Sequence, residues 1–349
     1  MAFLSINNVK IAGLSAGVPR NVIKTSESAK LSDEYDNEAY SKSTGVYERR
    51  YSDSLTVVDL AIPAVNSLLA DLNWESKDID ALVVVTQTPD YIAPASACIL
   101  QDKLGISKEC IALDISLGCS GWVYGLSTLA SMVSCGQFKK ALLIAGDARQ
   151  WHNLPIDALF GSAATVTALE YKEGETMQFH LGTDGSGWEA LYVPAGGARI
   201  PFIEDCLNME EVDGKMIAPI QSHMLGMDVF AFGITTAPKS IKRLKAQYEI
   251  DDQNVDYYVF HQANKLMVDT IKKKMKLSEA QAPLCMDQFG NTSSASIPLT
   301  IVTRMNDSLK EKPQTNLICC GFGIGLSWGS VYLKLYNDTI ISKLVEVDD

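Results

Sequence analysis

A chain of 349 residues exceeds what one ordinary hydrophobic core supports, so two domains or two fused halves are expected. With 47% hydrophobic and 21% charged residues it is an ordinary globular sequence, and no apolar run reaches the roughly 18 residues that a membrane-spanning helix needs. A net charge of −12 argues against nucleic acid and anionic membrane as partners, and eight cysteines without C-x-x-C pairs or His partners at zinc-like spacing argue for free thiols rather than disulfides or a structural metal.

The stretch Met1–Lys10 has no charged region ahead of an apolar one, so no secretory signal is expected and the cytoplasm is the expected compartment. Val9 to Val18 reads as a strand, the charged segment from Lys24 to Asp53 as surface helix and loop, and Leu55 to Leu72 as a helix on its periodicity. Asp80 introduces a buried strand, Ala81 to Thr86; a helix from Pro94 to Leu104 and a strand from Cys110 to Ile115 follow. At Gly118-Cys119-Ser120-Gly121 the chain breaks and turns into a helix carrying Trp122, Leu126, Leu129 and Val133, with Gly136 as its cap. Lys140–Asp147 and Gly161–Leu169 read as further strands. This alternation predicts an α/β protein with a mainly parallel sheet.

Cys119 is therefore a helix-start thiol, facing unpaired backbone N–H groups and the positive end of the helix dipole, which favour thiolate over thiol. On this stretch alone a buried structural cysteine is an equal reading. The second half repeats the order of the first: Asp256 leads a strand ending at His261, and Asp256, Asn291 and Gly321 are spaced much as Asp80, Cys119 and Gly146 are. Each half would run from an Asp-led strand through helix, strand, small-residue turn and helix to an apolar strand ending in glycine. If the halves are related by approximate two-fold symmetry, the Cys119 and Asn291 turns meet at the centre. The expected halves are 1–175 and 176–349.

His261, in His261-Gln262-Ala263-Asn264, ends a strongly apolar strand, so its ring needs a buried partner or a role. Gly290-Asn291-Thr292-Ser293-Ser294 is by itself a generic turn and helix cap. Gly321-Phe322-Gly323-Ile324-Gly325 has the glycines of a dinucleotide loop, but the following residues to Tyr336 alternate like a strand, which excludes that fingerprint.

Taken together, these four motifs in this order, with Thr44-Gly45-Val46, Thr88-Pro89-Asp90 and Asp184-Gly185-Ser186 through Gly197, resemble the 3-oxoacyl-acyl carrier protein synthase III family over nearly the whole chain. The resemblance implies a thiolase-like fold: two pseudo-symmetric α/β halves with mixed sheets and buried central helices. It implies an acyltransferase that performs a decarboxylative Claisen condensation of an acyl thioester with malonyl-ACP, giving 3-oxoacyl-ACP at the start of fatty acid synthesis. Cys119 would carry the acyl group, His261 and Asn291 would hold the malonyl thioester carbonyl, and the backbone N–H groups of Cys119 and Ile324 would form the oxyanion hole. Phe322 would wall the departing carboxylate, and Ala93 would stand where acetyl-preferring members commonly place a Phe in the neighbouring subunit's acyl pocket. Lys265, Lys273 and Lys274 would contact acyl carrier protein. A homodimer is implied, and neither metal nor cofactor.

Several positions depart from the family. Ala39 and Ser43 replace the Trp and Arg that commonly hold coenzyme A, and Gly161-Ser162-Ala163-Ala164-Thr165 replaces Gly-Asp-Gly-Ala-Gly after Phe160. The loop between Arg149 and Ala158 is shorter, Ala231 replaces a basic residue, and Leu266 stands where an Arg is expected, with Lys265 beside it. The donor is thus acyl-CoA or an acyl carrier protein thioester. Between Lys239 and Lys276 nine basic residues face five acidic ones, a local surplus suited to an acidic carrier. A condensing or acyl-transfer enzyme of specialised metabolism is the alternative reading; a non-catalytic partner subunit fits less well with an intact Cys, His and Asn.

Overall fold

A computed structural model describes residues 2–28, 36–148, 154 and 157–349. Most of the Arg149–Ala158 loop lies outside the described residues. The central sheet runs in the order Tyr257–Phe260, Gln314–Gly323, Ser327–Tyr336, Ala163–Thr183, Lys140–Asp147, Ala81–Val85, Ile111–Ile115, and Ala2–Pro19 pairs along Ala163–Thr183. It is mixed rather than mainly parallel. Parallel pairing joins Ala81–Val85 to both neighbours and Tyr257–Phe260 to Gln314–Gly323. The middle is antiparallel, because the short link from Gly323 to Ser327 makes a hairpin, whereas parallel neighbours need a crossover helix.

The repeat is visible in hydrogen bonds. Asp80 N–H donates to the Lys140 carbonyl at 2.9 Å while its carboxylate accepts from Lys140 N–H, 60 residues away, at 3.1 Å. Asp256 does the same with Asn316, also 60 residues away, at 2.9 and 2.7 Å. Each aspartate thereby fixes the register of a parallel strand pair. One expected element is missing from the second half. Where a counterpart of Ile111–Ile115 is expected ahead of Asn291, the chain instead forms a short helix, Met286–Phe289. Pro283 lacks the N–H a ladder requires, and the segment is tied by single bonds, Tyr258 N–H to Gln281 O at 2.7 Å and Cys285 N–H to Gln262 Oε1 at 3.1 Å. The expected boundary at residues 175 and 176 falls within the continuous Ala163–Thr183 strand, just after its exposed stretch Lys172–Gly174.

Two helices occupy the interior. Gly121–Ser134 buries Trp122, Val123, Leu126, Leu129, Ala130 and Val133, and Trp122 Nε1 donates to Thr167 Oγ1 at 3.0 Å. It lies so close to the sheet that a Cβ on Gly125 would stand 2.6 Å from Val85 Cγ2 and 2.7 Å from Leu143 Cδ1. Ser296–Arg304 is buried from Ser296 to Val302. The N-termini of both helices converge: a Cβ on Gly121 would lie 3.4 Å from Ser294 Cβ. The Cys119 and Asn291 turns therefore meet, as the repeat predicts.

Candidate active site

Cys119 precedes the first residues of the Gly121–Ser134 helix, and the Gly321–Ile324 segment lies against it. A Cβ on Gly321 would meet the Cys119 carbonyl oxygen at 2.7 Å, and one on Gly323 would meet Cys119 Sγ at 2.8 Å. Only glycine allows that approach. Ile324 is held in turn: Ser327 Oγ donates to its carbonyl at 2.8 Å and lies 2.7 Å from Ser120 Oγ, so the residue after Cys119 is pinned to the loop that carries Ile324.

A cavity of about 160 Å³ brings Cys119, His261, Asn291, Phe322 and Ile324 onto one surface, with Leu159, Phe160, Phe230, Phe232 and Met267 as apolar walls. His261 is buried, and burial pushes its pKa down to about 4, a shift partly countered by a backbone hydrogen bond at Ser293. The ring is neutral at pH 7. Its Nδ1 lies 2.8 Å from Ser296 Oγ, which is also 2.9 Å from the Ser293 carbonyl. When the hydroxyl donates to Nδ1, the ring proton resides on Nε2, where it can be given to an oxygen; when it donates to Ser293, Nδ1 holds the proton. Phe322 stands edge-on to the imidazole, centroids 5.8 Å apart at 84°.

Asn291 is oriented by its own backbone neighbours. Its Oδ1 accepts from Ser293 N–H at 2.9 Å, and its Nδ2 reaches the Ala263 carbonyl at 3.4 Å, leaving a second amide proton for another acceptor. Its main chain is bridged to Phe160, with Asn291 N–H to Leu159 O at 2.8 Å and Gly161 N–H to Asn291 O at 3.1 Å. A thiol sulfur, a neutral imidazole and a fixed carboxamide thus face one small, mostly apolar space. That set suits chemistry in which negative charge develops on a carbonyl oxygen.

The remaining predicted residues lie elsewhere. Ala93 is exposed beside a fully exposed Ile92 and lines neither this cavity nor a second one of about 610 Å³ behind it. Lys265, Lys273 and Lys274 lie on the Lys265–Met275 helix, whose capping residue Asn264 lines the first cavity. Lys265 is paired with Asp269, Lys274 Nζ donates to the Ile234 carbonyl at 3.0 Å, and Lys273 is exposed. Lys272, counted in the basic surplus, is buried between Asp269 and Glu279, and Lys245 is paired with Asp252, so the patch is smaller than its composition. Sequence reasoning passed over Gln87, which lines both cavities, and Ser296.

The family models for "3-Oxoacyl-[acyl-carrier-protein (ACP)] synthase III" and its C terminal match residues 113–185 and 245–335. The chain is 32% identical to the "Putative 3-oxoacyl-[acyl-carrier-protein] synthase 3" of Campylobacter jejuni, covering 96% of this chain and 97% of that one. It is 31% identical to the "Beta-ketoacyl-[acyl-carrier-protein] synthase III" of Clostridium acetobutylicum, covering 94% and 99%. Its fold superposes on a crystal structure of 3-oxoacyl-(acyl-carrier protein) synthase from Burkholderia xenovorans with a TM-score of 0.91, at 36% identity and 99% coverage of both chains. Convergent turns, a shared cavity and these likenesses over nearly the full length place the chain in the 3-oxoacyl-acyl carrier protein synthase III family, as a condensing acyltransferase of thiolase-like fold.

Proposed function

We propose that the chain condenses an acyl thioester with malonyl-ACP through an acyl group held on Cys119. The thiolate attacks the donor carbonyl, an S–C bond forms, and the donor's thiol leaves. Malonyl thioester then binds with its carbonyl oxygen against His261 and Asn291 and loses its carboxylate as carbon dioxide. The resulting enolate carbon attacks the acyl-cysteine, forming the C–C bond and returning the Cys119 thiolate. Backbone N–H groups of Cys119 and Ile324 receive the oxyanion in both acyl transfers, and Phe322 keeps the departing carboxylate out of water, which favours loss of its charge. Two copies pair, and the acidic carrier docks on the Lys265–Met275 helix.

The observation that carries this reading is the convergence of Cys119, His261, Asn291 and Phe322 on one cavity. Intact-protein mass spectrometry tests it. Cys119→Ser should take up no acyl label, whereas His261→Ala and Asn291→Ala should be acylated yet fail to decarboxylate malonyl thioester. Label on another cysteine removes the central assignment; equal loss of acylation in the His261 and Asn291 variants means that Cys119 needs a base.

A further inference from the structure

Gln87 stands in the wall between the two cavities and lines both, together with Leu191, Ser222 and Ile324. Its backbone is anchored: Gln87 N–H donates to Asp147 Oδ1 at 2.7 Å, and the same oxygen accepts from Thr86 Oγ1 at 3.0 Å. Its carboxamide has no hydrogen-bond partner among the described residues. The amide oxygen lies 2.4 Å from where a Cβ on Gly118 would stand, so the side chain is laid over the residue immediately before the nucleophile. Consecutive Cα atoms are about 3.8 Å apart, so the first carbons of an acyl group on Cys119 fall within reach of it.

The surroundings make an unpartnered amide informative. The Cys119 cavity is otherwise walled largely by Leu159, Phe160, Phe230, Phe232, Met267 and Phe322. A plain alkyl chain lying there covers the carboxamide and gives it nothing to bond, which is the costly case for a buried polar group. A hydroxyl on the chain can both donate and accept, so it satisfies either end of the amide. Beyond Gln87 the second cavity is also partly polar, lined by Thr56, Thr88, Asp90, Ser116 and Ser222.

We propose that Gln87 is a specificity-determining residue: its carboxamide hydrogen-bonds a polar substituent on the first carbons of the acyl chain carried by Cys119, so hydroxyacyl thioesters are taken in preference to plain alkyl ones. This rests on Cys119 as the acyl carrier. The test supplies N-acetylcysteamine thioesters of butyrate, 2-hydroxybutyrate and 3-hydroxybutyrate to the wild type, to Gln87→Met, which keeps length and removes the amide, and to Gln87→Asn, which keeps a shortened amide. The rate of acyl-Cys119 formation is read by intact mass. One hydroxyacyl donor should outpace butyryl in the wild type, and that ratio should fall about tenfold in Gln87→Met, with Gln87→Asn between the two. A wild type that prefers butyryl, or a ratio the same in all three proteins, overturns the proposal. No label on Cys119 from any donor instead removes the acyl-carrier reading beneath it.

Discussion

At Gly323 one methyl group would stand 2.8 Å from Cys119 Sγ and 2.7 Å from its Cβ, inside any normal contact distance. The clash is with the proposed nucleophile rather than with the core, so its effect belongs to chemistry more than to folding. Gly323→Ala should slow acylation of Cys119 on the order of a hundredfold, by displacing the sulfur, while the thermal midpoint moves little. A variant acylated at the wild-type rate would mean that the Gly321–Ile324 segment yields freely and does not define the site. Cys119, His261 and Asn291 were legible in the sequence because each sits in a short motif with a mechanism: a helix start, a polar ring ending an apolar strand, a capping turn. Gln87 and Ser296 were not legible. What they face is decided by other strands and helices, Gln87 by Gly118 and Ser296 by His261 across 35 residues, and no local pattern records that.

Among the elements, the Gly121–Ser134 helix and most strands of the central sheet could be read from periodicity, since a buried helix after a glycine turn and a run such as Ala81–Val85 leave little choice, whereas the Ser296–Arg304 helix followed only from the repeat. The strand expected ahead of Asn291 failed on Pro283, a residue whose missing N–H outweighs the analogy with the first half. The Lys265–Met275 helix is the element on which the proposed carrier docking rests; pairing with Asp269 and Glu279 takes Lys265 and Lys272 out of its free charge, and Asp252 pairs with Lys245 on the Gly226–Tyr248 helix. Lys273 and Lys274 remain exposed on the last turn of the Lys265–Met275 helix. Reversing both to Glu should slow the carrier-dependent step several-fold, through association, and the effect should fade as salt is added. Acylation by a small N-acetylcysteamine thioester is the control and should not change. An unaltered carrier rate at low salt would leave this turn as a solvated helix face.

For the molecule as a whole, symmetry places two buried polar turns at its centre, and acid sensitivity follows from what is kept neutral there. His261 and His180 are both buried, and burial first of all pushes both pKa values down to about 4. An imidazole whose folded pKa lies below its unfolded value of about 6.5 binds its proton more readily in the unfolded chain. Stability is therefore full above about pH 6.5 and declines as pH falls toward 4, by roughly 3 kcal/mol for a fully buried ring such as His261. Urea midpoints at pH 7.5 and pH 5 should show the fall, and His180→Gln, remote from the cavity, should lessen it; equal midpoints would mean that the protonated rings find hydrogen-bond acceptors within the fold. In the proposed dimer, acyl selectivity belongs to the same scale. Ala93 is exposed and lines neither of the two cavities, which is compatible with the proposed reach into a partner's pocket. In the same proposal, the cavity of about 610 Å³ behind Gln87 is the space that such a residue closes. A methyl side chain leaves it open, where a Phe would fill it. Each buried methylene contributes roughly 0.8 kcal/mol, so about four extra carbons favour a longer chain by at most about 3 kcal/mol, on the order of a hundredfold. The wild type should accordingly prefer hexanoyl or octanoyl donors to acetyl in relative kcat/KM, and Ala93→Phe should shift the preference toward short chains. Mixed dimers sharpen the test: in a heterodimer of Ala93→Phe with Cys119→Ser, the only active Cys119 faces an unaltered partner residue, so wild-type selectivity should return. A heterodimer that keeps the short-chain preference would place Ala93 in its own subunit's pocket, and a wild type that favours acetyl would close the pocket altogether.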